Sequence, residues 1–299
     1  MTPSRAVLLP FLALGFSWST AIPLGRFAGD AGVPSLIFPL AQAVGAVLLL
    51  SLVRLFQRLD FGWPLPWGLF LVSGLLGHAL PQVISFITIQ HLPTALVGLV
   101  IAMNPIFTGI MASVTGTQAM SRSKAVGIAL GFLAVALVSL PGATLPGWDA
   151  LPWIAFGMLT PLCFAFANTY SARLRPKNGD PVRDAIGMMG VSAVFLFAAA
   201  LLAGQSYNYA PWTADAGSIS LTVHGVIAAL AFALFFVVLE RGGPIMVASA
   251  SYLILILSGI WGWLFFGEVP TVMFIVASVL VVIGLTLVLG LWPRQPRNA

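Results

Sequence analysis

Long apolar runs, separated by short polar or Gly- and Pro-rich segments, are the dominant pattern of this sequence. Each run is about 20 residues long, which is the length that an α-helix needs to cross the hydrocarbon core of a bilayer. The longest polar connections, 172–184 and 204–218, leave no room for a separate soluble domain. The pattern predicts an all-α integral membrane protein with ten transmembrane helices. The ten runs are 6–25, 33–53, 67–89, 93–115, 122–142, 150–172, 182–204, 220–240, 244–266 and 270–291.

The composition agrees with a chain that faces lipid over most of its surface. Of 299 residues, 60% are hydrophobic and 7% are charged, whereas an average soluble domain has about 25% charged residues. A single cysteine, Cys163, excludes a disulfide within the chain and a thiolate metal cluster. The net charge of +5 comes without a basic stripe interleaved with aromatic residues. We therefore expect a lipid bilayer as partner, no nucleic acid, no cofactor and no metal.

The basic residues predict the orientation of the chain. If the N-terminus is cytoplasmic, Arg26 alone falls on the outer side, and the remaining basic residues fall on the cytoplasmic side, as the positive-inside rule requires. These are Arg5, Arg54, Arg58, Arg122, Lys124, Arg173, Arg175, Lys177, Arg183, Arg241, Arg294 and Arg297. We expect a multi-pass protein of the cell inner (plasma) membrane with both termini cytoplasmic. The first run is expected to be a retained span, since Pro23 and Arg26 stand where a signal peptide would have small residues.

The two halves of the chain resemble each other at an offset of 151 residues. Pro93 and Gly116 bound the fourth run, and Pro244 and Gly267 bound the ninth in the same way. Because each half holds five runs, an odd number, the second half must cross the bilayer in the opposite direction. Inverted repeats are typical of transporters, in which two similar halves allow one arrangement open to each side. The predicted five-helix repeats are residues 1–146 and 147–299.

Three stretches read FSWSTAIPLGR (16–26), LPTALVGLVIAMNPIFTGIMASVTG (92–116) and GEVPTVMFIVASVLVVIGLTLVL (267–289). Together with ten runs in two inverted halves, they resemble the EamA family of the drug/metabolite transporter superfamily. The resemblance implies a ten-span bacterial metabolite transporter, similar to exporters of amino acids and of aromatic or toxic compounds. The family's Glu after the glycine is present as Glu268 but is Thr117 in the first half, so an ion pair there would not be doubled.

His78 is the only titratable group that we place near the midplane. All eight acidic residues lie at run ends or in connections, and no Lys or Arg lies in the middle of a run. Ionisable residues within a membrane are costly and usually line a cavity. An imidazole, with an unperturbed pKa of about 6.5, could contact a substrate or carry a proton. The alternative is a neutral ring that is hydrogen-bonded to a neighbouring helix.

Other polar residues are predicted to surround the same chamber. Pro81 should bend its helix beside His78, and Gln82, four residues after His78, should face the same lumen. Gln42 and Asn104 lie at similar depth in other runs, and their counterparts at the 151-residue offset are apolar, so the first half carries most of this chemistry. The predicted substrate-binding residues are Trp18, Gln42, His78, Gln82, Asn104, Asn168 and Tyr252. The predicted helix bends are at Pro81, Pro105 and Pro161.

These patterns favour a secondary transporter that exports small organic metabolites by alternating access. Amides, imidazole and indole suit amino acids or related zwitterionic and aromatic solutes, and protons are a candidate coupling ion. We expect a monomer or a weak dimer. A facilitative channel or uniporter is the first alternative. A membrane-embedded enzyme is less favoured, because the sequence has no HExxH motif, no phosphate-binding loop and no paired carboxylates within a run.

Overall fold

Helices make up all the regular structure in the described part of a computed structural model of this chain. The described residues are 5–58, 62, 64–138, 150–177, 179–210, 215–270 and 272–289. The first repeat predicted from sequence contains α1 (Arg5–Ser19), α2 (Ala21–Asp30), α3 (Ile37–Phe56), α4 (Trp67–Gly74), a π-helix (Leu75–Ala79), α5 (Leu80–Ile89), α6 (Thr94–Ile101), α7 (Asn104–Val114) and α8 (Arg122–Val138). The second contains α9 (Leu151–Gly157), α10 (Leu159–Leu174), α11 (Pro181–Leu202), α12 (Ala216–Phe266) and α13 (Val272–Leu289).

Seven helical stretches are long and apolar enough to cross a membrane, so the prediction of an all-helical membrane protein is confirmed. They are Val7–Asp30, Ile37–Phe56, Trp67–Ile89, Thr94–Val114, Leu151–Leu174, Pro181–Leu202 and Ala216–Phe266. The count of ten spans and the inverted arrangement stay predictions. The predicted boundary between residues 146 and 147, together with Arg294 and Arg297, lies outside the described residues.

The longest element, α12, folds back on itself at Gly243. Its 51 residues would extend for about 76 Å if they were straight, more than twice the thickness of the hydrocarbon core. Gly243 has a φ of 78°, which suits a residue without Cβ. Trp18 packs on Phe232, while the adjacent Ser19 accepts a hydrogen bond from Trp261. A straight helix would separate Phe232 from Trp261 by about 44 Å, so α12 comprises two arms, which we call α12a (216–242) and α12b (244–266).

Small residues let the helices approach each other closely. A Cβ on Gly45 of α3 would lie 2.9 Å from the Cα of Gly225 in α12a, so the two backbones touch where these helices cross. Close approach of this kind is typical of helix packing in membranes. The crossing therefore holds α3 directly against α12a.

Ion pairs of the described residues lie at helix ends, as the positions of the acidic residues in the sequence suggest. Arg54 contacts Asp180 at 2.6 Å at one such end. Arg175 contacts Asp184 at 2.8 Å and Glu240 at 3.1 Å. These contacts join α3, α10, α11 and α12a, so charged residues tie the ends of the helices together and leave the central layer to neutral polar groups.

Candidate functional site

A cavity lies between α1, α2, α3, α5, α6, α7, α10 and the two arms of α12. Its free volume is about 50 Å³, which is room for a few water molecules, so a metabolite would have to widen it. Its lining combines aromatic, aliphatic, amide and hydroxyl side chains. The lining residues are Trp18, Ala21, Ile22, Phe38, Gln82, Ser85, Phe86, Ile89, Ile101, Asn104, Phe164, Phe232, Ser251 and Ile254.

Trp18 forms one wall of the cavity with rings from two other helices. Its indole stacks nearly parallel on Phe164, with centroids 6.4 Å apart and planes inclined by 11°. Phe232 and Phe235 of α12a pack on it in tilted orientations. An aromatic wall of this kind can accommodate an apolar or planar group and can attract a cation through its π face.

Gln82 offers an amide to the cavity that is not engaged elsewhere. It lines the cavity from α5, and within the described residues its side chain has no hydrogen-bond partner. One helical face repeats at spacings of three and four residues and brings Gln82, Ser85, Phe86 and Ile89 to the same wall. This spacing is visible in the sequence, so it could have identified Ser85 and Phe86, which our sequence analysis missed.

Asn104 is the centre of a second polar group at the edge of the cavity. Its Nδ2 donates to Ser251 Oγ at 3.2 Å, and its Oδ1 accepts from Thr108 Oγ1 at 2.9 Å. Asn168 does not line the cavity, but its Nδ2 lies 3.5 Å from Asn104 Oδ1. The structure therefore brings Asn104 and Asn168 together, with Ser251 as an additional lining residue from α12b.

His78 bridges two helices beside the cavity. Its Nε2 lies 2.8 Å from Gln42 Oε1 and its Nδ1 lies 2.6 Å from Ser192 Oγ. An amide oxygen can only accept, so Nε2 carries the proton, and Nδ1 of the neutral ring accepts from the Ser192 hydroxyl. The edge of the His78 ring meets Phe232 with centroids 5.2 Å apart. Since Phe232 lines the cavity and neither His78 nor Gln42 does, this pair forms a layer behind the wall.

His78 and Gln82 therefore do not share one lumen, although four residues separate them. The reason is the π-helix Leu75–Ala79, which contains His78 and ends just before α5. Its hydrogen bonds run from residue i to i+5, so it changes the rotation of the side chains relative to an α-helix. Single-turn π-helices of this sort are frequent at functional sites.

Three prolines, at the predicted helix bends Pro81, Pro105 and Pro161, each follow an interruption of the α-helix by four residues. A proline has no N–H to donate to the carbonyl at position i−4. For Pro105 that carbonyl belongs to Ile101, the last residue of α6, and for Pro161 it belongs to Gly157, the last residue of α9. For Pro81 it belongs to Gly77, inside the π-helix. The first of these interruptions places Asn104 at the start of α7, next to the cavity.

Tyr252 lies away from the cavity. Its side chain is fully buried, and its ring packs against Gly131 of α8. The hydroxyl donates to the Ile128 carbonyl at 3.5 Å. Its neighbour Ser251 points into the cavity instead, because successive residues of a helix are rotated by about a third of a turn.

His224 is a second buried histidine that our sequence analysis did not single out. It lies near one end of a predicted span, where depth alone gave no reason to select it. Its ring stacks on Phe38, with centroids 4.7 Å apart and planes inclined by 12°. Within the described residues neither ring nitrogen has a hydrogen-bond partner.

Comparison with known proteins identifies the family. The model of the EamA-like transporter family matches residues 5–140 and again residues 151–290. The chain belongs to the EamA-like transporter family. An uncharacterized transporter of Bacillus subtilis (strain 168), YvbV, is 27% identical over 293 residues, which are 95% of this chain and 90% of YvbV. A crystal structure with 15% identity has a TM-score of 0.72 and covers 94% of this chain and 96% of that one, a similarity that shows the fold alone.

Membership of the EamA-like family confirms the predicted family and the predicted class of protein, a multi-pass membrane transporter with a small-molecule substrate. It also agrees with the prediction of a transporter rather than an enzyme. The polar residues described above thus belong to a protein that moves a solute.

Proposed function

We propose that this EamA-like protein exports small organic metabolites, in particular amino acids or related zwitterionic and aromatic solutes, by alternating access. The proposed setting is the inner membrane, with both termini cytoplasmic. Ten spans fit the described helices when six of the seven apolar stretches count once, α12 counts as two arms, and α8 and α13 are added. The match of one family model to both halves supports the proposed inverted repeat.

The observation that carries the proposal is the chemistry of the cavity lining. Among the described residues that line it, none is Asp, Glu, Lys, Arg or His. The amides of Gln82 and Asn104 and the hydroxyl of Ser251 can donate to a carboxylate and accept from an ammonium group. Trp18 and its neighbouring rings suit an apolar or aromatic side chain. A solute with no net charge but with polar ends fits this combination.

Each residue predicted from sequence has a role in this proposal. Gln82 and Asn104 contact the solute directly, and Asn168 holds the Asn104 amide. His78 and Gln42 reach the solute after Phe232 moves aside. His78 is also the candidate proton carrier. A second proton on its ring would make Nδ1 a donor, and the Ser192 hydroxyl would then rotate to accept from it. Tyr252 would reach the solute only if its hydroxyl left the Ile128 carbonyl.

Solute flux into proteoliposomes tests the proposal. A thermal-shift screen against amino acids and related metabolites comes first, since a ligand that binds the folded state raises its melting temperature. Flux of a solute that raises the melting temperature should be saturable and stereoselective. The response of this flux to an imposed proton gradient distinguishes proton antiport from uniport. Flux that is unsaturable and insensitive to the gradient would indicate a channel and overturn the proposal.

The free amide of Gln82 gives a sharp variant for the same assay. Gln82→Ala should lower flux and abolish the thermal shift of the solute, while the protein without solute keeps its melting temperature, because the amide has no protein partner among the described residues. Gln57→Ala, at the exposed end of α3, is the matched control and should transport like the wild type. Wild-type flux in Gln82→Ala would remove Gln82 from the site.

A further inference from the structure

Two antiparallel helical segments each begin where the other ends. The first is α6 with α7 (94–114), and the second is α12b (244–266). Thr94, at the start of the first, contacts Glu268, which follows the end of α12b. Ile245, at the start of α12b, contacts Gln118, which follows the end of α7. A segment of about 21 residues is about 31 Å long, close to the thickness of the hydrocarbon core, so the two contacts lie at opposite faces of the membrane.

The contact at Thr94 is ionic, and we call it the Glu268 clasp (Arg26, Thr94 and Glu268). Glu268 Oε1 accepts from Arg26 Nη1 at 2.7 Å, from Thr94 Oγ1 at 3.1 Å and from the Thr94 N–H at 3.3 Å. Arg26 also donates to Thr94 Oγ1 at 3.1 Å. One carboxylate thus joins the middle of α2, the start of α6 and the segment after α12b.

The contact at the opposite face is neutral, and we call it the Gln118 clasp (Gln118, Gly242 and Ile245). Gln118 Oε1 accepts from the Ile245 N–H at 3.1 Å, and Gln118 Nε2 donates to the Gly242 carbonyl at 3.3 Å. The side chain therefore holds both sides of the reversal at Gly243 against the segment that follows α7.

The two clasps are equivalent in the two halves of the chain. Both follow a glycine in the left-handed region, Gly116 with a φ of 69° and Gly267 with a φ of 67°. In both, the N–H of the clasp residue donates to the carbonyl six residues earlier, and its side chain accepts from the first turn of the opposite helix. Free N–H groups and the positive end of the helix dipole favour an acceptor there. The offset of 151 residues aligns Thr117 with Glu268 in the sequence, whereas in the structure Gln118 makes the contacts equivalent to those of Glu268.

The cavity lies between the middles of the two segments. Ile101 and Asn104 line it from the first, and Ser251 and Ile254 line it from α12b. Either clasp ties an end of one segment to the end of the other. Release of one clasp would let these segments part on that side while the other clasp keeps the opposite side closed.

We propose that the Glu268 clasp and the Gln118 clasp are the two closures of the transport path and release in alternation. The inference rests on the alternating access of the proposed function and adds to it the residues that close each face. The side chains of Arg26 and Glu268 are 32% and 26% exposed, so water can replace their contact when it opens. Salt screens charges but not neutral amides, so of the two clasps only the Glu268 clasp is weakened directly by high ionic strength.

Cysteine labelling in membrane vesicles tests this without a known solute. The probe is Ser85→Cys, a cavity position, in a Cys163→Ser background, with a membrane-impermeant maleimide applied to one face at a time. Glu268→Ala should raise the labelling rate from one face about two- to fivefold, the size expected for loss of a partly exposed ion pair. Gln118→Ala should raise the rate from the other face. In the wild type 1 M salt should raise the rate at the Glu268 face, and in Glu268→Ala it should add nothing at that face.

Further variants separate a clasp from a general loss of structure. Glu268→Gln retains an acceptor without the charge and should give a smaller effect. The exchange Arg26→Glu with Glu268→Arg restores the opposite charges but not the acceptor for the Thr94 N–H, so it should slow labelling only in part relative to Glu268→Ala. Gln205→Ala is the matched control, because it removes an amide contact to the Leu36 N–H, 3.0 Å long, that belongs to neither clasp. It should change labelling from neither face.

Two results would overturn the inference. One is unchanged labelling in both clasp variants, and the other is faster labelling from the same face in both. The outcome is separate from that of the flux assay. Saturable flux with unchanged labelling would reject the role of the clasps and retain the proposed transport function. Face-specific labelling without any solute flux would retain the clasps as closures of the cavity and reject the proposed class of solute.

Discussion

The two buried histidines should respond in opposite ways to replacement by phenylalanine. His78 uses both ring nitrogens, with contacts of 2.8 Å to Gln42 and 2.6 Å to Ser192. His224 uses neither within the described residues, and its ring stacks on Phe38. Phenylalanine preserves the ring and removes the nitrogens, so the pair of substitutions isolates the contribution of the hydrogen bonds.

The expected magnitudes follow from the number of bonds that each substitution removes. A hydrogen bond between membrane helices contributes about 0.6 kcal/mol on average and up to about 1.7, so His78→Phe should lower the free energy of unfolding by about 1–3 kcal/mol. A buried polar group without a partner costs about 1–3 kcal/mol. His224→Phe removes that cost and keeps the stack on Phe38, so its stability should equal or exceed that of the wild type.

Thermal unfolding of the purified protein in detergent measures both effects. For a chain of this size 1 kcal/mol corresponds to a change of about 2–4 °C in melting temperature. His91→Phe is the control for an exposed ring, because it keeps the stack on Trp153 and loses one solvent-exposed hydrogen bond, 2.8 Å long, between Nδ1 and the Ile87 carbonyl. A His224→Phe variant that loses as much stability as His78→Phe would refute the reasoning.

Two further predictions concern packing and pH. Gly45→Ala should lower the free energy of unfolding by about 1–3 kcal/mol, because the added Cβ would meet the backbone of Gly225. Gly190→Ala is the control, since a Cβ there meets nothing within 4 Å and should not lower the free energy of unfolding. Denaturant titration compares the two variants. Burial acts to raise the pKa of Asp180, but hydrogen bonds from Arg54 and from the Arg183 and Val182 N–H groups outweigh it and hold the pKa below its ordinary 3.8. The stability that this carboxylate contributes is therefore present above pH 3.8 and is lost as the pH falls through its lower folded value. Asp180→Asn should thus be less stable than the wild type at pH 7, and the two melting temperatures should converge on acidification below pH 3.8.

The sequence was sufficient for the all-helical membrane class of the protein, whereas the count of ten spans stays a prediction. The length of an apolar run is enough to identify a membrane helix. A proline has no N–H for the carbonyl four residues earlier, and the structure ends α6 at Ile101 and α9 at Gly157, four residues before Pro105 and Pro161. The similar depth that the sequence predicts for Gln42 and His78 agrees with the contact between their side chains from different helices.

Rotation of side chains about the helix axes was not readable from the sequence. The π-helix turned His78 away from the wall that Gln82 occupies, and Ser251 rather than Tyr252 faces the cavity. Contacts between distant segments were equally hidden. Ser192 is 114 residues from His78, and Gln118, rather than the aligned Thr117, matches Glu268, because the structural turn is displaced from the sequence repeat by one residue.

The neutral lining of the cavity has a consequence for energetics. A unit charge that crosses a membrane gains or loses about 2.3 kcal/mol per 100 mV of membrane potential. With no ionised side chain among the described lining residues, neither the empty cavity nor a cavity filled by a zwitterion carries net charge through the field. If no proton accompanies the proposed solute, its transit is electrically silent, and its own concentration gradient, rather than voltage, sets the direction of net movement.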